Sequence, residues 1–347
     1  MRRIRQCLGV LALVALAAAS VSAGSASAAT GPTVRTKAQW QAAIAQLRAP
    51  GAGCYRASYP ALHWHAVKCA VAPRWPMAPR PSGSAAPAGP NKVGNGLDYS
   101  ARVSGRISKA TGSFAHVSSG ITEKGKVNNT GPNVANAFSL QLNTQFFATP
   151  ACSGSGTPAK CLGWQQFVYA KLNGVGNLFM QYWLINYNAS CPAGWAPFQA
   201  DCFTNSKGVT RSALTAKQLA TVKLSGSATS GGNDQVSLSI GSGTAISVSN
   251  RDSEVDLAAA WNTSEWGVYG DAGGGEAFFG TNTTLQAQTA LTTTSSGAPA
   301  CVKEGFTGET NNLKLASTPA LGAQPSPTMA SKQTNGTSGT ASCAVKA

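Results

Sequence analysis

Over residues 91–291 the chain repeats one pattern: short apolar runs alternating with Ser, Thr, Gly and Asn, few charges, and turn residues between the runs. A period of two places successive side chains on opposite faces of an extended strand, and no helical period competes with it for long. This predicts strands near 99–106, 113–118, 136–147, 164–170, 177–187, 219–228, 235–240, 244–249, 254–261, 264–269, 275–280 and 283–291. Residues 212–220 could form a helical turn. So many short strands in one region fit an all-β fold, one large antiparallel β-sandwich.

The flanks read differently. Arg2, Arg3 and Arg5 precede a Leu/Ala/Val run and small residues that offer cleavage after Ala23 or Ala28, so 1–28 reads as a secretory signal peptide. In 36-TKAQWQAAIAQL-47, Trp40, Ile44 and Leu47 fall at helical spacing behind a capping box of Thr36 and Gln39. A loop bounded by Cys54 and Cys69 follows, then 72-APRWPMAPRPSGSAAPAGP-90, which reads as a Pro-rich linker. Residues 29–90 therefore resemble an N-terminal module or prosegment. Residues 292–347 read as an irregular tail pinned by its cysteines.

Without the leader and its Cys7, eight cysteines remain, an even number for an exported, extracellular chain. Short loops favour the pairings Cys54–Cys69, Cys152–Cys161, Cys191–Cys202 and Cys301–Cys343, each stabilising by roughly 2–4 kcal/mol. No CxxC pair occurs, and His63 and His65 have only His116 besides them, so neither a metal site nor a cofactor is expected. The formal charge is +15, but its Lys and Arg residues are dispersed and interleave with no aromatic helix. Nucleic acid is not expected as a partner, nor is a membrane after processing.

Chemistry-bearing residues concentrate in three strands. In 138-FSLQLNTQFF-147 one face carries Ser139, Gln141, Asn143 and Gln145, a stripe of amides suited to a polar ligand or to an exposed sheet face. The strand 177-NLFMQYWLINY-187 is apolar on both faces and carries Gln181, Trp183 and Tyr187 on one of them. In 264-SEWGVYGD-271, Glu265, Gly267 and Tyr269 share a face. Glu265 is a lone carboxylate among aromatics, and such a group needs a partner, a raised pKa or a task. Six of the chain's 12 acids, Asp252, Glu254, Asp256, Glu265, Asp271 and Glu276, lie between 252 and 276.

Two of these segments, 140-LQLNTQF-146 and 262-NTSEWGVYGDAGGGEAFFG-280, in that order and with 164-WQQFVY-169 between them, resemble the glutamic peptidases, the eqolisins. That family carries a Gln in a strand of the type L-Q-T-G-x-x-F and a Glu in one of the type N-A-E-W-I-V-E-D-F. The resemblance covers the core strands alone. Here Asn143, Gly267 and Tyr269 stand where the family has a Gly, an aliphatic residue and a second acid.

The resemblance implies a jelly-roll, concanavalin A-like sandwich hydrolysing a polypeptide substrate at acid pH. Glu265 would activate a water and then protonate the leaving nitrogen, and Gln141 would donate its amide to the oxyanion. Asn143, Gln181, Trp183 and Tyr269 would line the groove. Two other readings fit the same residues: a lectin-like sandwich that binds an extracellular glycan or a protein without catalysis, and a glycoside hydrolase pairing Glu265 with Asp256 or Glu276.

Overall fold

Alternation of apolar and polar residues becomes two sheets packed over one apolar core. The computed structural model describes residues 36–80, 92–325, 327–337 and 342–345. The expected signal peptide and residues 81–90 of the Pro-rich stretch lie outside the described residues. No helix among the described residues is long and apolar enough to cross a membrane.

The sheet that carries the candidate residues has 10 strands. Six matter here: β1 (Tyr99–Arg102), β2 (Phe138–Thr144), β3 (Leu162–Leu172), β4 (Val175–Ile185), β5 (Asp201–Asn205) and β6 (Thr263–Gly270). They lie side by side in the order β5-β4-β3-β2-β6-β1, every neighbour antiparallel. The opposing 14-stranded sheet is built around Ile107–Val117, Thr284–Thr293 and Thr328–Thr334. Pairing in both sheets is antiparallel, apart from Glu276–Phe279 beside Thr310–Leu315 and Ala300–Lys303 beside Ala344–Val345.

Between the sheets lie Leu140, Leu142, Phe167, Tyr169, Met180 and Trp266, each buried. Burying a side chain of this size stabilises by roughly 1.5–3 kcal/mol. Trp266 reaches the opposite sheet, where its ring lies 5.3 Å from Phe114 and its Nε1 donates to Ser113 O at 2.9 Å. Gly112 leaves it room, since a Cβ there would stand 2.1 Å from the indole.

Several sequence expectations change. No strand forms over 254–261: two short 3-10 turns, Asp252–Glu254 and Leu257–Ala259, stand there, because Asp256 takes a left-handed conformation and the Asp252 carboxylate accepts from Ala258 N. The expected helical turn at 212–220 is a 3-10 helix over Ala216–Thr221. The tail expected to be irregular instead supplies strands to both sheets. Thr310–Leu315 alternates half-buried and buried side chains within a run too polar to stand out.

The N-terminal module is not set apart either. Helix α1, Lys37–Ile44, has its Thr36–Gln39 capping box, and Gly53–Ser58 pairs in register with Thr244–Arg251 of the larger sheet. The disulfides join Cys54 to Cys69, Cys152 to Cys161, Cys191 to Cys202 and Cys301 to Cys343.

Candidate functional site

Strand register decides which polar side chains meet. Directly opposed residues in neighbouring antiparallel strands point to the same face. Ser100 opposes Glu265, Glu265 opposes Asn143, Asn143 opposes Gln166, Gln166 opposes Gln181 and Gln181 opposes Asn205. A single row of amides with one carboxyl thus crosses all six strands, on the face turned away from the inter-sheet core.

Apolar groups flank the row. On one side Trp164, Trp183, Phe203 and Phe306 cluster, with Trp183 stacked on Phe203 at 5.0 Å. On the other side Val168, Ala170, Phe179 and Ala272 surround Met77.

The row is bonded internally. Asn143 Nδ2 donates to Glu265 Oε2 at 2.8 Å and to Gln141 Oε1 at 3.3 Å. Gln166 Nε2 donates to both Gln141 Oε1 and Asn143 Oδ1 at 3.2 Å. Trp183 Nε1 lies 3.1 Å from the amide oxygens of Gln166 and Gln181.

Gln141 and Glu265 share the face but do not touch. Gln141 lies one position along, opposite Gly267, and its amide nitrogen turns to Ser139 Oγ at 3.0 Å and Glu309 Oε2 at 3.2 Å. The donor that meets Glu265 is Asn143.

Tyr269 and Gly267 work as a pair. A Cβ on Gly267 would stand 2.5 Å from the Tyr269 ring, so glycine lets the ring fold back along the strand toward Glu265. Tyr269 Oη lies 3.3 Å from Glu265 Oε1 and hydrogen-bonds Asp98 Oδ2. One phenolic hydrogen cannot serve two carboxylates at once, so the protonation of Asp98 and that of Glu265 are linked through Tyr269.

Burial raises the Glu265 carboxyl to about 7, against lowering by Asn143 and by the backbone N–H groups of Phe306 and Thr307. Asp98 is pushed well above its ordinary range by burial, then by Glu265.

Neither face of the prediction, open groove or wet sheet, describes this surface. Gln141, Asn143, Gln166, Gln181, Trp183, Glu265 and Tyr269 are all 0% exposed. Two segments cover them. The first runs through Glu304, Phe306 and Glu309. Phe306 N donates to Glu265 Oε2 at 3.0 Å, and Gly305 packs so close that a Cβ would stand 2.9 Å from Glu265 Oε1.

The second is the first half of the expected Pro-rich linker. Gln181 receives Met77 N–H at 2.7 Å and donates to Trp75 O at 3.0 Å, and Asn205 donates to Pro73 O at 2.6 Å. Glu309 Oε1 accepts from Ala78 N at 3.1 Å. Arg80 closes the end, paired with Glu304 at 2.8 Å and lying 5.6 Å from the ring of Phe146 and 5.5 Å from that of Phe306. Beside this closure a depression of about 400 Å³ opens, lined by Arg80, Arg102, Phe146, Thr263, Glu304 and Phe306.

The acids that join this face are not sequence neighbours of Glu265: Asp98 meets it through Tyr269, and Glu309 bonds Gln141. Glu276 pairs with Lys92 on another strand, and Asp256 sits in the turn ahead of β6, so neither forms the carboxylate pair that a glycoside hydrolase reading required. Asp98 and Glu309 come from Gly-rich segments that carry no strand pattern. Gln166 and Asn205 also escaped the sequence reading. Gln166 shares a strand face with Trp164 and Val168 in 164-WQQFVY-169, but its meeting with Asn143 depends on register. Tyr187 belongs to the inter-sheet core instead of the groove, because Asn186 takes a left-handed turn after β4.

No family model matches the chain, and no curated protein matches it. Among solved structures it is similar to the crystal structure of Scytalido-glutamic peptidase with a peptide-based transition-state analog. The identity is 10%, the match covers 68% of this chain and 97% of that one, and the TM-score is 0.29. The overlap transfers no residue role, so the chemistry rests on the side-chain geometry above.

Proposed function

We propose that this chain is a secreted acid endopeptidase held in a closed, precursor-like state, hydrolysing peptide bonds with Glu265 as the acid–base group. The carrying observation is the Glu265–Asn143 contact at 2.8 Å within a row of amides, where the groups bonded to Glu265 are Asn143, Tyr269 and the N–H of Phe306. Primary amides beside one carboxyl are the donor set that a water attack on an amide needs. Asn143 and Gln166 are the oxyanion donors in this scheme, each with the N–H that substrate entry releases from Glu265 Oε2 or from Asn143 Oδ1. Gln141 holds them in place through its amide oxygen.

Burial is the leading cause of the raised Glu265 carboxyl. Uncovering the cleft returns it toward the ordinary carboxylate range, so that in mild acid a fraction is ionised and able to take a proton from water. Four disulfides fit the oxidising compartment that a secreted enzyme meets.

The test is cleavage of a denatured protein between about pH 3 and 6 by the parent, Glu265→Gln and Gln166→Leu. The glutamine variant is expected to be inactive, and loss of one oxyanion donor to slow the reaction by on the order of 10²–10³. Equal rates in parent and Glu265→Gln would remove Glu265 from the mechanism.

A further inference from the structure

The segment over residues 72–80 makes contacts that a linker has no reason to make. Its carbonyls at Pro73 and Trp75 and its N–H groups at Met77 and Ala78 are each bonded by a side chain of the sheet or of the facing segment, the half-buried Asn205 and the buried Gln181 and Glu309. Both ends add a strand-like bridge, Ala70 with Gly208 and Pro79 with Thr307. Arg80 N donates to Phe306 O, and Gly308 N to Ala78 O, both at 2.8 Å.

Recognition is therefore mainly through the backbone, as when a peptide is added beside a sheet. Ala72, Met77 and part of Trp75 enter the apolar cluster, and Met77 is the deepest of them. Met77 is 0% exposed among Val168, Ala170, Phe179 and Ala272, while Arg74 points to solvent.

We infer that residues 72–80 occupy the cleft as a peptide ligand in cis, and that the amide row is a peptide-binding site whose apolar pocket takes an unbranched residue such as methionine. This rests on the reading of the amide-lined face as the functional cleft. The Arg80–Glu304 pair, with Arg102 also on Glu304 at 3.1 Å, is the latch that keeps the segment seated. The chemistry favours a peptide over a glycan. Gln181 and Glu309 offer oxygen acceptors spaced for the successive backbone N–H groups of Met77 and Ala78, a spacing that an extended peptide matches.

The test uses full-length Met77→Lys and Arg80→Glu, each also carrying Glu265→Gln so that nothing is cut. The probe is a fluorescein-labelled Ala-Pro-Arg-Trp-Pro-Met-Ala-Pro-Arg peptide, followed by fluorescence anisotropy. The parent sequence carrying only Glu265→Gln is expected not to bind it, whereas the unlatched proteins bind it. Replacing the peptide's Met by Asp is expected to weaken binding about tenfold or more. No binding by folded, unlatched protein, or equal binding of a scrambled peptide, would overturn the inference.

Hydrogen exchange on the unmodified chain supplies an answer even if both variants fail to fold. The Met77, Ala78 and Arg80 amides are expected to exchange through local release, well before those of Leu142 and Val168. Exchange of all of them only with global unfolding would make the segment a fixed structural element. Peptide binding without cleavage by the unlatched Glu265 protein would sink the peptidase reading and leave the peptide site standing. Cleavage that the peptide does not compete would do the reverse.

Discussion

At the scale of the residue, Glu265 shows how a single side chain can be readable as unusual and yet unreadable as to partners. Its place between Trp261 and Trp266 marks it out in the sequence, and the face it shares with Tyr269 follows from alternation. That Asn143 meets it, rather than Gln141, depends on the offset between β2 and β6.

Its charge has a consequence for stability. A carboxyl raised from 4.5 to about 7 in the folded state binds its proton more tightly there than in the unfolded chain. The stability it contributes is present below its unfolded pKa and is lost as pH rises through about 7. Glu265→Gln resembles the protonated acid at every pH. The variant should match its parent in urea unfolding near pH 4 and exceed it by roughly 1–3 kcal/mol near pH 8. A variant equally or less stable than its parent at the higher pH would show that the carboxyl is accommodated ionised.

At the scale of the element, a strand face is fixed by parity while its neighbours are fixed by pairing. The segment 164-WQQFVY-169 illustrates both. Gln166 points to the cleft, and Gln165, one residue away, crosses the core to donate to Asp234 Oδ2 at 2.8 Å. Gly112 illustrates a constraint between elements, since it is small only because Trp266 from the other sheet lies on it. Gly112→Val should cost about 1–3 kcal/mol by overpacking, read as a lower denaturation midpoint with an unchanged denaturant slope. An unshifted midpoint would mean that the sheets separate without strain at that point.

At the scale of the whole molecule, the chain closes on itself. The module expected to precede the sandwich adds strands to it, its disulfide fixes the start of the segment over the cleft, and the tail expected to be loose supplies the other cover. Joining Cys54 to Cys69 closes a separation of 15 residues, for which chain entropy gives about 3 kcal/mol. The Cys54→Ser/Cys69→Ser double variant should lose that stability in guanidinium unfolding and expose the 72–80 segment to limited proteolysis. Unchanged proteolysis would separate the disulfide from the closure.

The sequence by itself determined the all-β class, the strand faces, the capped helix and the neighbouring cysteines suited to pairing, because each is set by local periodicity, capping or short loop closure. Only the tertiary structure decided that the amides of 143, 166, 181 and 205 form one row with Glu265, that Asp98 and Glu309 supply its acidic neighbours, and that the Pro-rich segment lies on top. Those facts depend on strand order and register across distant parts of the chain. Hydrophobic parity leaves them open, since it fixes which face a residue takes without naming the strand beside it.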